Sequence, residues 1–197
     1  VIAIHLLFIA FQKTSFDRKH PDLLGILLVI PLLHPALLFT YTLTLTSRKL
    51  KLLDLLLPFA SFLVLVFLTI PFFGLEDTEK IAVFEAEGKG YEWYQRIQIT
   101  LILLTGLLLG VLGLLKINKV KQKLDNHLSS VDYSIIHWLR FLTVGLTLIW
   151  ILAVFFEEPI IDLGIVLFII LLGIYGINKA PIFVGVTQKI KSTEPDK

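Results

Sequence analysis

Five apolar runs, at residues 23–45, 52–73, 97–117, 137–156 and 160–177, constrain this chain more than any other feature of it. Each reaches the ~18 residues that cross a hydrocarbon layer as a helix. Only short polar connections separate them. With 56% hydrophobic residues and a mean hydropathy of +0.84, a water-soluble globule is excluded. The predicted class is therefore all-α, a polytopic bundle of membrane helices. A sixth run, at 1–11, is too short to span. Because it opens without a polar lead-in, and the chain has no methionine, it reads as the truncated remainder of a further helix. A signal peptide would need a basic segment before the apolar stretch and a small-residue cleavage site after it; neither is there. Cysteine is absent, which removes disulfides, thiol nucleophiles and thiolate metal ligands together.

Charge sets the expected topology. Basic residues gather at Arg48, Lys49 and Lys51, at Lys116, Lys119, Lys121 and Lys123, and at Lys179, Lys189, Lys191 and Lys197. These segments are expected on the cytoplasmic side. Acidic residues gather between them, at Glu76, Asp77, Glu79, Glu85, Glu87 and Glu92, and again at Glu157, Glu158 and Asp162. The alternation predicts an acidic connection outside and a cytoplasmic C-terminus. One segment runs against it, since Lys13, Arg18, Lys19 and His20 fall on the outer side. Residues 1–177 form the expected transmembrane domain, and 178–197 a cytoplasmic linker.

Within the acidic connection, Glu87-Gly88-Lys89-Gly90 reads as a turn, and Tyr91, Trp93 and Tyr94 beside it as an interfacial aromatic belt. Ser129-Ser130-Val131-Asp132 reads as a helix start, feeding the run that holds His137, Trp138 and Arg140.

Several stretches, in order, resemble one family. His20-Pro21-Asp22-Leu23-Leu24-Gly25-Ile26 continues through Pro31-Leu32-Leu33-His34-Pro35 to Tyr41-Thr42-Leu43-Thr44-Leu45-Thr46. Asp54-Leu55-Leu56-Leu57-Pro58-Phe59 follows, then residues 129–140, Trp150, Gly173-Ile174-Tyr175-Gly176-Ile177 and Pro181-Ile182-Phe183. The set resembles the seven-helix membrane domain of Bacteroidota regulators whose C-terminal end is similar to AraC-type transcription factors. The resemblance implies a fragment that begins within the second helix and stops in the linker. DNA would be contacted only through a helix-turn-helix domain that follows, so no residue here is assigned to DNA. The expected function is a membrane-embedded sensory or anchoring domain of a transcriptional regulator, answering to an unknown ligand. The alternatives are the membrane sensor of a histidine kinase, and a small transporter or membrane enzyme.

Motifs for chemistry are few. GxSxG, Walker and HExxH patterns are missing, so catalytic residues are assigned to no position and the chain is not expected to be an enzyme. No two of the five histidines have the helical spacing that aims two ligands at one ion, so neither a metal nor another cofactor is expected. The acids of 76–92 lack EF-hand spacing and read as a solvated surface. Pro31, His34 and Pro35 mark the first run as a single kinked helix rather than a re-entrant hairpin, with His34 the one ionisable group deep in a helix. Its imidazole is expected to satisfy backbone groups that the kink frees. Gly106, Gly110 and Gly113 lie close to one helix face and permit close backbone approach. Their partner is either a helix of this chain, the favoured reading, or a second copy, which would make a homodimer.

Overall fold

A computed structural model describes residues 1–47, 50–127 and 133–192. Among them every regular element is helical: α1 (Ile2–Lys13), α2 (Phe16–Lys19), a 3-10 turn at Pro21–Leu23, α3 (Ile26–Val29), a 3-10 turn at Ile30–Leu32 and α4 (Leu33–Thr46). Then follow α5 (Leu52–Leu56), a 3-10 turn at Leu57–Phe59, α6 (Ala60–Phe73), α7 (Asp77–Glu85), α8 (Glu92–His127), α9 (Ser134–Phe155) and α10 (Glu158–Ser192). Five stretches are long and apolar enough to cross a membrane: Pro21–Thr46, Leu52–Phe73, Glu92–Gln122, Ser134–Phe155 and Pro159–Gly176. Most of their surface is not covered by protein; in Pro159–Gly176 only 6% of the window is buried. Phe67, Leu104, Leu148 and Ile174 are among many large apolar side chains left exposed. Exposed apolar area on that scale needs lipid rather than water around it. The chain is an all-α, multi-pass membrane protein.

The first span is a single kinked helix from Ile26 onward. Proline has no N–H to give, so the ladder tightens to 3-10 geometry around Pro31, and the helix resumes through His34 and Pro35. A sharper break precedes it. Leu24 is extended, and Gly25 adopts φ +86°, where a side chain would also press on the Phe72 ring at 3.0 Å. The buried threonines Thr42, Thr69 and Thr143 each donate to the carbonyl four residues back.

Two helices overrun the expected limits of their spans. At ~1.5 Å per residue, the 36 residues of α8 and the 35 of α10 reach about 50 Å, well beyond the roughly 30 Å of hydrocarbon. The segment 178–192, read above as linker, continues α10 as helix to Ser192. The proposed helix start at 129–132 lies outside the described residues.

Side chains pack as two units, Val1–Leu112 and Gly113–Lys197, with α8 contributing to each. In the first, Val29, Leu32, Leu65 and Tyr94 form the buried core. In the second, Ile117, Ile136 and Leu139 do so, and α9 packs along α10. There Trp138 stacks on Tyr175 at 5.4 Å, Tyr175 on Phe141 at 5.0 Å, and Phe141 contacts Phe168 at 5.9 Å. Phe168 fills the notch left by Gly145, and Leu152 faces Gly164. Arg140 donates to Asn118 between two spans, and beyond the spans Tyr133 donates to Asp125. That hydrogen bond pushes the Tyr133 phenol above its ordinary pKa, because the carboxylate accepts the proton that ionisation would remove.

Candidate functional site

A cavity of about 330 Å³ opens in the first unit. Its size falls at the small end of the range usual for ligand pockets, ~300–1,000 Å³. Five segments converge on it: the end of α1 through Gln12, α3 through Leu28, the last turns of α6, the end of α7 with its following turn, and the start of α8.

Local sequence explains the parts. Glu76 begins α7 with its backbone N–H donating to Glu79, and the helix ends at Ala86 in a Schellman turn. Gly88 N–H reaches the Val83 carbonyl at 2.8 Å, and Glu87 N–H the Phe84 carbonyl at 3.1 Å. The left-handed residue of that turn is Glu87, at φ +52°, a position that glycine usually takes. Gly88 follows at φ +73°, and a Cβ there would lie 2.3 Å from Gln95 Nε2. The absence of a side chain at Gly88 thus admits the Gln95 amide, which donates to the Glu87 carbonyl at 2.9 Å. Lys80 anchors α7 from its other face. This ammonium is buried and lies 3.4 Å from Asp77 and 3.7 Å from Asp22, so the acidic connection and the Pro21–Leu23 turn sit at one end of the unit. Asp22, which adjoins the basic segment that breaks the charge alternation, is thus paired with the lysine of the acidic connection.

Hydrogen bonds fix the orientation of the cavity's polar groups. Thr69 spends its only proton on the Leu65 carbonyl at 2.7 Å, so the 2.7 Å contact with Tyr94 is donated by the phenol. Gln98 Nε2 donates to the Leu28 carbonyl at 2.9 Å, tying α8 to α3. Tyr94 is consequently buried and Tyr91 packs on the core, leaving only Trp93 of the expected aromatic belt exposed. The helical phase of α8 decides this, since neighbouring positions point to different sides.

His34 has a different partner from the one its sequence context implies. Its Nε2 meets Nδ1 of His5 at 2.8 Å, joining α4 to α1 rather than capping the kink. A contact at that distance needs one proton between the two nitrogens, so at least one ring is neutral. His5 carried no local signal, being 29 residues away. Among the described residues no group of three potential metal ligands forms. Pro31 and Pro35 flank this pair, Pro35 buried and Pro31 partly so.

Gly106, Gly110 and Gly113 are all buried within the single chain, and the same face of α8 continues to buried Ile117. They do not border the cavity. The glycines with close neighbours across a helix interface include Gly145 and Gly164, which no motif in the sequence marks, since neither has a second glycine three or four residues away. No family model, curated protein or solved structure matches the chain.

Proposed function

We propose that this chain is the sensory part of a membrane-bound regulator, and that the cavity of the first unit receives the stimulus. The observation that carries the reading is the cavity's construction. A concave, aromatic-walled space with a few oriented polar groups is the ordinary form of a small-molecule site, and here one wall of it is a short element, α7 with its left-handed turn, set against the ends of the spans α6 and α8. A ligand that prefers one arrangement of α7 shifts the population toward it. In this reading, α8 passes the change onward and α10, helical for 35 residues, carries it out of the membrane. The output is a helix-turn-helix DNA-binding domain in the cytoplasm, as the resemblance to AraC-type regulators implies. The acidic end faces outward from a bacterial inner membrane and the C-terminus faces the cytoplasm, following the distribution of lysine and arginine.

The test expresses the reading frame to its natural stop beside a promoter reporter, and fills the cavity with Leu68→Trp. Reporter output should become fixed, either high or low, and insensitive to conditions that switch the parent protein. Output that responds as in the parent, or a downstream sequence encoding a kinase core, would overturn the reading.

A further inference from the structure

The cavity also discriminates by charge. Five of its lining side chains are aromatic, Phe72, Phe84, Tyr91, Trp93 and Tyr94, and none is lysine or arginine. Lys80, the basic residue of α7, is held by Asp22 and Asp77 and does not line the space. Glu87 supplies the only charged lining side chain. It is exposed, and no ion pair holds it among the described residues. The amides reinforce the same polarity. Gln95 and Gln98 each dock their nitrogen on a backbone carbonyl, which only a donor can do, leaving Oε1 as the outward end. The Tyr94 proton is spent on Thr69, so that hydroxyl offers lone pairs.

We infer that the cavity binds an organic ammonium, a positively charged amine head on an apolar body, with the head between the aromatic faces and the Glu87 carboxylate. Aromatic faces attract cations through their quadrupoles, and more strongly once the cation is desolvated. An anion would find no counter-charge and would meet acceptors and aromatic faces instead. The head can belong to a free lipophilic amine or to an ethanolamine or choline lipid, since both present the same chemistry at the interface. The inference rests on the cavity being a ligand site, and deepens that reading by naming the ligand class.

The test uses the full chain in nanodiscs of phosphatidylglycerol alone, titrated calorimetrically with phenethylammonium, 2-phenylethanol and 3-phenylpropionate. The ammonium should bind saturably and about 10-fold more tightly than the alcohol, the scale of a desolvated cation–π contact, and the carboxylate should not bind. Glu87→Gln should abolish most of that preference, bringing the ammonium's affinity down toward that of the alcohol. Glu87→Lys should reverse the order and admit the carboxylate. Repeating the titration with phosphatidylethanolamine in the disc separates the sources: weaker apparent affinity for phenethylammonium identifies the lipid headgroup as occupant, and unchanged affinity a free amine. Equal binding of ammonium and alcohol, or tighter binding of the carboxylate, overturns the ligand class but leaves the cavity as a site. If none of the three binds in phosphatidylglycerol discs and Leu68→Trp leaves the reporter responsive, the cavity reading itself fails, and this inference with it.

Discussion

Replacing Gly145 by alanine tests the packing of α9 on α10 directly. An added Cβ would lie 2.3 Å from Cε2 and 2.6 Å from Cδ2 of Phe168, whereas carbon atoms rest at roughly 3.5–4.0 Å. The ring therefore has to retreat by about an ångström or more. It cannot do so freely, because Phe168 is buried and leans on Phe141, which stacks on Tyr175 and through it on Trp138. Overpacking of this kind costs about 1–3 kcal/mol. Better helix propensity of alanine returns about 1 kcal/mol at most. With a rigid, stacked ring as the obstacle the upper part of the range applies, and the net loss should be about 2 kcal/mol. Gly173→Ala is the control, since nothing lies within 4 Å of its Cβ position, and it should be neutral or slightly stabilising. Reversible unfolding in mild detergent, followed by helical circular dichroism, measures both. Phe168→Leu should lessen the penalty of Gly145→Ala, with a coupling of roughly 0.5–3 kcal/mol in the double-mutant cycle. Equal stability of Gly145→Ala and Gly173→Ala, or strict additivity with Phe168→Leu, would refute the argument.

The histidine pair should behave as a unit: His5→Leu or His34→Leu alone leaves the other imidazole half-buried without its partner, at about 1–3 kcal/mol, whereas the double variant should cost less than the two singles combined, again by unfolding in detergent. Glu87→Gly should stabilise the protein by about 1 kcal/mol, because glycine takes the left-handed conformation without strain, and should weaken ammonium binding at the same time; a drop in melting temperature would count against the Schellman turn. Single cysteines at Glu87 and Gln122 should differ toward an impermeant thiol reagent applied to intact cells, with labelling only at the former; labelling at Gln122 reverses the proposed orientation. Gly110→Leu should lower thermal stability well beyond Leu109→Ile, since a large side chain would enter a buried glycine face.

Hydropathy alone determined the architecture. Runs of apolar residues longer than any soluble core requires admit few answers in water or in lipid, and the span Leu52–Phe73 was legible to the residue. Local chemistry was legible as well: the turn at Glu87-Gly88, the kink at Pro31 and the glycine face of α8 all follow from properties of a few adjacent residues. Only tertiary structure decided which groups meet. In lipid both faces of a helix are apolar, so the sequence of a span carries little record of the side that packs. His5 and His34 meet because α1 packs beside α3 and so reaches the first turn of α4, and Phe168 matters to Gly145 because of how α10 is rotated against α9. The cavity is the clearest case. Gln12, Leu28, Thr69, Glu87 and Tyr94 come from five separate segments, each unremarkable in its own context. Their convergence depends on helix phase and on the path of the polar connections, which no periodicity within one segment encodes.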